Sequence, residues 1–426
     1  MNNEDLHHKF LECSGVSTDT RKIEPNNMYF ALKGDNFDGN AFAKQALEAG
    51  ATYAVVDDAS IVLDKERYIL VDDVLQRLQE LANHHRHSLN IPIIALTGSN
   101  GKTTTKELIH AVLSTTYTVG ATKGNLNNHI GVPLTLLSFD SNLDYGIVEM
   151  GANHQKEIEF LCSIAVPNFG VITNFGKAHM EGFGGIEGII KGKSELYDYL
   201  KSHNGLAFIN SEDPKQMEQL GSYGNRYTFG PKGADTQVAF SHANPFVTGT
   251  YNQTEFSSQL IGGYNFTNIA IAISIGEYFD VPESSIIKGI ESYTPTNNRS
   301  QIMDKGSNHI ILDAYNANPT SMKAALHNLF QLEASHKVVF LGDMFELGDY
   351  AKEEHQAIVN LLESEFDGTI FLAGENFYDT ERQGNTKAFK TFEDLKNEIN
   401  DIEFENATIL IKGSRGMALE RVLDFI

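Results

Sequence analysis

Tryptophan is absent, and cysteine occurs only twice, at Cys13 and Cys162, in 426 residues. Two thiols so far apart in the chain do not make the disulfide framework of a small secreted domain, and they fit a reducing compartment. Nothing follows from the missing tryptophan. Long apolar runs are missing as well: no stretch reaches the ~20 residues that a membrane-spanning helix needs. The first residues, MNNEDLHHKFLEC, are polar and acidic, unlike a secretory signal peptide. Basic residues are scarce, with 33 Lys+Arg against 56 Asp+Glu and a formal net charge of -23. Nucleic acid, whose phosphates demand basic patches, is therefore not the expected partner. The expectation is a soluble cytoplasmic protein with no membrane insertion.

What is present is enough apolar material for real cores, 41% of residues. A length of 426 residues suggests about three domains. Residues 1–88 read as a small α/β unit, with strands at NMYFAL, ATYAVVDD and YILVDD and helices at AFAKQALEAG and VLQRLQELANHHRH. Residues 89–296 read as a second unit built on buried parallel strands. IPIIAL, YGIVEMG and FGVITNFG are continuous apolar runs, as strands covered on both faces require. Residues 297–426 alternate strand and helix from HIILDAYN to MALERVLDF, which predicts a doubly wound sheet. The polar stretch YTPTNNRSQ, 293–301, reads as the hinge between the last two units.

IIALTGSNGKTTTKEL, 93–108, is a strand, a glycine turn and a helix: the context of a phosphate loop. It is shorter than the common form, because only Ser99 and Asn100 separate Gly98 from Gly101. Its N–H groups and helix N-terminus suit phosphate oxygens. Lys102 would reach the β- and γ-phosphates, and Thr103 would ligate Mg²⁺. Glu149 ends an apolar strand, where a carboxylate partner for that cation belongs, although an ordinary strand-end acid has the same pattern. His179 lies just past another buried strand, where α/β sites form. Lys191 and Lys193 sit on a helix, and spacing alone gives them no more than a solvated role. The histidines of HH, 7–8, and HHRH, 84–87, lack carboxylate or cysteine company at ligand spacing, so the expectation there is a solvated helix end.

The short loop TGSNGKTTT resembles that of the Mur ligases, ATP-dependent amide-bond ligases of peptidoglycan synthesis, and the resemblance runs through nearly the whole chain. GNLNNHIGVPLTLL, DAYNANPTSM, LGDMFELG and KGSRGMALE are similar to the member that joins UDP-N-acetylmuramoyl-tripeptide to D-alanyl-D-alanine. The Asp-Asn-Pro-Arg motif of the member adding the third stem residue is missing, as is the Asn-Lys-x-Asp of a GTPase switch. A folylpolyglutamate synthetase, which shares the chemistry, is disfavoured by the two stretches DAYNANPTSM and LGDMFELG.

The resemblance implies a UDP-sugar domain, a central ATP-binding domain with a parallel sheet and a Rossmann-like C-terminal domain. It implies that Gly98, Ser99, Asn100, Gly101, Lys102, Thr103 and Thr104 hold the ATP phosphates. Thr103 and Glu149 would bind one Mg²⁺, and His179 a second with a carbamylated lysine, assigned to Lys193 with Lys191 as the rival. Asn265 and Asn268 match adenine-contacting asparagines, although Tyr264 stands where the family commonly has histidine. Arg299 and Asp313 match nucleotide contacts from the hinge and last domain. Thr18, Asp19, Thr20 and Arg21 resemble the UDP-sugar grip, and Asn127, Asn128, Asn316 and Asn318 are implied as further substrate contacts. A monomer is expected.

Overall fold

The computed structural model describes residues 1–426 apart from Thr296, Asn297 and Asn385. The expected boundary at 296/297, within the hinge stretch, thus lies outside the described residues. Among those described, the strands form three sheets and a two-stranded ribbon, Lys33–Gly34 with Phe37–Asp38.

The first sheet has four parallel strands in the order Gly15–Ser17, Asn27–Phe30, Tyr53–Val56, Tyr68–Leu70. Asn27–Phe30 is buried at every position, which explains its unbroken run of large side chains. The helix Val74–Leu89 starts where the Asp73 carboxylate accepts the Gln76 N–H, and it ends at Asn90 in the left-handed region. Leu78, Leu81 and Ala82 on this helix share a core with Leu136, Phe139 and Leu161 of the second unit. Arg86 donates to Ala165 O at 2.9 Å and to Asn168 Oδ1 at 2.9 Å, tying the helix to the second unit.

Two histidines on this face depart from the expected solvated helix end. His7 and His85 are 6% and 4% exposed, His7 Nε2 lies 2.9 Å from His85 Nδ1, and His85 Nε2 lies 2.9 Å from Phe139 O. The helix Asn3–Leu11 covers the Val74–Leu89 helix here, a tertiary contact that local polarity does not announce. Among the described residues no three His, Cys, Asp or Glu side chains gather as a metal cluster. No helix of the described residues is long and apolar enough to cross a membrane.

The second sheet has nine strands. It runs parallel from Val119–Ala121 through Tyr145–Glu149, Ile93–Thr97, Phe169–Ile172, Leu206–Asn210 and Arg226–Gly230 to Thr236–Ala243. It then continues with antiparallel Phe246–Tyr251 and Thr254–Ile261. The expected parallel core is present, and two further strands extend it by antiparallel pairing. The outer strands alternate buried and exposed residues, because one of their faces meets water.

The third sheet pairs Gln301–Lys305 antiparallel with Asn308–Asp313, then runs parallel through Thr408–Lys412, Lys337–Gly342, Thr369–Ala373 and Lys387–Phe389. Ile311, Val339, Leu341 and Leu410 pack on the side of the helices Pro319–Gln331 and Ala351–Glu365. Ile310, Leu312, Val338, Phe340 and Ile411 pack on the other side with Leu395 and Val422. That alternation is the doubly wound arrangement. The last segment, expected as a helix, forms 3-10 turns at Arg415–Met417 and Leu419–Phe425 instead.

Candidate active site

The strand Ile93–Thr97 is buried throughout and lies between Tyr145–Glu149 and Phe169–Ile172. The chain therefore leaves it in the middle of the sheet, at the carboxyl ends of parallel strands, where α/β folds bind ligands. Gly98, at φ +143, carries no Cβ because one would sit 2.0 Å from Thr173 Oγ1. Gly101, at φ +79, opens the helix Lys102–Leu113, and a Cβ there would meet Asn268 Oδ1 at 2.4 Å. The two glycines thus let the loop lie flat against its neighbours, with the Ser99 and Asn100 N–H groups donated to Asn174, so that the N-terminus of the helix beginning at Lys102 is what faces the cavity.

A cavity of about 550 Å³ lies over this loop. Ser99, Asn100, Gly101, Lys102, Thr103 and Thr104 line it from the loop and helix. Asn127, Asn128, Glu149, His179, Asn265 and Asn268 line it from the rest of the second unit. Arg299, Asp313, Asn316 and Asn318 line it from the hinge and the last unit. Residues far apart in the chain and expected at the site therefore meet around one space. Gly98 is not part of the wall. Lys193 lies beneath it, fully buried, while Lys191 is exposed on the same helix, Ile186–Ser202. Thr18, Asp19, Thr20 and Arg21 do not line this cavity, and the Arg21 guanidinium is committed to Asp19 at 2.8 Å.

Lys102 Nζ donates to Gly98 O at 2.8 Å, and enclosure pushes its amine below the ordinary lysine value, with Glu149 opposing. A phosphate in the cavity would restore what that enclosure removes. Glu149 is 1% exposed; its Oε1 accepts the Asn127 side-chain amide at 2.8 Å, and its Oε2 has no hydrogen-bond partner among the described residues. A buried carboxylate oxygen left unpaired is costly unless something binds it. With the Thr103 hydroxyl on the same wall, this is a donor set for a hard cation. Mg²⁺ is commonly held by one or two carboxylates plus substrate phosphates, so the absence of a closed protein cage does not count against it.

Burial drives the Lys193 amine far below its usual value. Its Nζ donates to Ala152 O at 3.0 Å and lies 4.9 Å from the Phe183 ring centroid. An uncharged amine is the form that adds carbon dioxide, so Lys193 fits a carbamate far better than exposed Lys191. His179 stands at φ 56 at the start of the turn Met180–Phe183, with Nδ1 against the Glu346 carboxylate of the last unit. That contact holds the Glu346 carboxyl below its ordinary value.

Asn268 accepts from Thr105 Oγ1 at 3.1 Å and donates to Asn265 Oδ1 at 2.8 Å, so both amides are set by the fold before any base arrives. Tyr264 takes the histidine's place and bonds Ser300 Oγ at 3.0 Å, a contact reaching toward the last unit. The Arg299 guanidinium lies 3.6 Å from the Tyr315 ring centroid.

Sequence reasoning missed Lys412. It lines the cavity, is 1% exposed, and its Nζ donates to Asp313 Oδ2 at 2.5 Å and to Asn316 O at 3.3 Å. The signal was a lysine closing the apolar strand Thr408–Lys412, a position at the mouth of a parallel sheet.

The Mur ligase middle domain model matches residues 96–276, the Mur ligase, glutamate ligase domain matches 298–415, and the Mur ligase family, catalytic domain matches 12–86. A UDP-N-acetylmuramoyl-tripeptide--D-alanyl-D-alanine ligase of Bacillus subtilis is 37% identical over 96% of this chain and 92% of its own. A MurF crystal structure from Acinetobacter baumannii superposes with a TM-score of 0.87 at 29% identity, covering 99% of this chain and 98% of that one. A MurF ligase from Thermotoga maritima in complex with ADP gives 0.84 at 25% identity, covering 98% and 97%.

Proposed function

The chain belongs to the Mur ligase family, and from that premise we propose that it is an ATP-dependent ligase adding D-alanyl-D-alanine to UDP-N-acetylmuramoyl-tripeptide in peptidoglycan precursor synthesis. The observation that carries this reading is the single cavity in which the phosphate loop, Glu149, Asp313 and Asn318 face one another.

A carboxylate is a poor electrophile toward an amine in water. The γ-phosphoryl group of ATP passes to the terminal carboxylate of the tripeptide, giving an acyl phosphate and ADP. The free amine of the dipeptide attacks the acyl carbon, phosphate leaves with the C–O electron pair, and the amine's proton is released as the amide forms. Both donor and acceptor of the phosphoryl group are anionic. Lys102 and the loop N–H groups, fixed before the reaction, offset that repulsion. Magnesium, held by Thr103 and Glu149, with a second ion near His179 and carbamylated Lys193, would supply further charge neutralisation on the phosphates. Asn265 and Asn268 would orient the adenine, and Arg299 and Asp313 would hold the nucleotide from the last unit. Asn127, Asn128, Asn316 and Asn318 would position the peptide substrates, and Thr18–Arg21 would grip the UDP-sugar on the first unit. A monomer is proposed, and a nucleotide-linked substrate supports a cytoplasmic setting. The domains proposed for these tasks are 1–88, 89–296 and 297–426.

Phosphate release from ATP, measured with the two substrates together and singly, tests the proposal. Release that requires both, with a pentapeptide product by mass, is the expected result. Release with neither would point to a nucleotide hydrolase and overturn it.

A further inference from the structure

The segment 173–177 touches two things at once. On one side it braces the phosphate loop: Thr173 Oγ1 donates to Asn100 O at 2.6 Å, Asn100 N donates to Asn174 Oδ1 at 3.1 Å, and Ser99 Oγ donates to Gly176 O at 2.7 Å. On the other side it meets the last unit. Lys177 N donates to Thr320 Oγ1 at 3.0 Å, and the Lys177 ammonium forms an ion pair with Glu354 on the Ala351–Glu365 helix. The phosphate loop reaches the same surface directly, because Asn318 Nδ2 donates to Asn100 Oδ1 at 2.6 Å. Gly176 sits at the junction without room for a side chain, with Asn100 Nδ2 at 2.7 Å and Thr320 Oγ1 at 3.2 Å from where a Cβ would be.

The burial of the pair is unequal. The Glu354 side chain is 6% exposed and that of Lys177 is 37% exposed. Were the last unit to swing away from segment 173–177, the Glu354 carboxylate would lose Lys177 as its cover and return to water. Docking removes the carboxylate from water, and the docked arrangement is tolerable only with a cation opposite. Neither residue lines the cavity, so neither touches ATP or the peptide substrates.

We propose that Lys177 and Glu354 are positioning residues for the ligation, an ion pair that locks the last unit onto the segment bracing the phosphate loop. This rests on the ligase reading above. A filled phosphate loop steadies segment 173–177, and the steadied segment presents Lys177 to Glu354. Asp313, Asn316, Asn318 and Lys412 then stand over the phosphates in the arrangement described here. Loss of the lock leaves the nucleotide bound to the second unit but lowers the share of molecules with the last unit in place.

The test uses the full chain in three forms: Lys177→Ala, Glu354→Gln and the swapped pair Lys177→Glu with Glu354→Lys. Two readouts are taken, kcat against KM for ligation, and the distance between spin labels on the second and last units with and without ADP and Mg²⁺. The expected result is a kcat lowered about tenfold in each single variant. ADP affinity should fall by no more than the docked share of molecules falls, the short inter-label distance should be depleted, and the swapped pair should regain kcat and distance. Wild-type kcat and wild-type distances in both single variants would overturn the proposal. So would a swapped pair as poor as the singles, since the two residues would then act separately. A loss of ADP affinity larger than the loss of the short distance would place Lys177 in nucleotide binding and overturn the positioning role. Failure of the ligase reading is distinguishable, because the parent chain itself would then make no amide, whatever the distances report.

Discussion

Lys102 is held by Gly98 O at 2.8 Å in a space that disfavours its charge, and that is the position of a group waiting for an anion. Lys102→Ala should lower phosphate release by on the order of 10³-fold while the far-ultraviolet circular dichroism stays unchanged; a variant at full rate would remove the loop from the chemistry. Lys193 makes a different prediction. Its amine is buried, and burial presses it toward the neutral form, so Lys193→Ala should lose activity that short carboxylic acids partly restore, and Lys191→Ala should remain near the parent rate. If rescue followed Lys191→Ala instead, the modified lysine would be the exposed one. Both residues were legible in the sequence to different degrees. Gly-Lys-Thr after an apolar strand carries its own mechanism. A lysine two residues from another on one helix does not, and burial alone separates them.

The helices Asn3–Leu11 and Val74–Leu89 meet through His7 and His85, whose ring nitrogens approach to 2.9 Å. Burial, with His85, His84 and His8 nearby, pushes His7 down to about 4, and burial also lowers His85. A histidine whose value falls on folding favours the neutral form in the folded state. Its stabilising effect is therefore complete above the unfolded value near 6.5 and is lost as pH falls toward 4. For His7 the loss is on the order of 2 kcal/mol once partial solvation of the cluster is allowed for. Thermal melts between pH 7 and pH 4 should show it, and His7→Phe should flatten the profile. An unchanged pH dependence in that variant would mean that other groups govern acid stability. This pair was illegible beforehand, because two polar helices look solvated until each covers the other.

The second and last units wall one cavity, and the proposed nucleotide site draws on both. ADP should therefore stabilise the chain as a whole, by about 2.7 kcal/mol at a hundredfold excess over its dissociation constant. Scanning calorimetry should show the melting of both units shifting upward together, and Arg299→Ala, which removes the guanidinium stacked on Tyr315, should shrink the shift. A shift confined to one transition would mean that the last unit does not hold nucleotide. The charge of -23 is no obstacle to anionic substrates such as ATP. Lys102, Arg299 and Lys412 converge on the cavity, and local charge decides what binds there.

The linear pattern by itself determined the central parallel strands of each sheet, several of the helices and the phosphate loop, since apolar period and glycine placement are short-range signals that each element carries within itself. It also placed Glu149 and Asp313 at strand ends, because an apolar run that stops on a carboxylate marks the mouth of a parallel sheet. Only the tertiary structure decided that Lys193 is buried and Lys191 is not, that Lys412 pairs with Asp313, and that Lys177 faces Glu354 across 177 positions of chain. It also decided that two strands join the central sheet by antiparallel pairing and that the chain ends in 3-10 turns. Those outcomes depend on which surfaces meet and on how far water is excluded between them, and neither is encoded in any window of neighbouring residues.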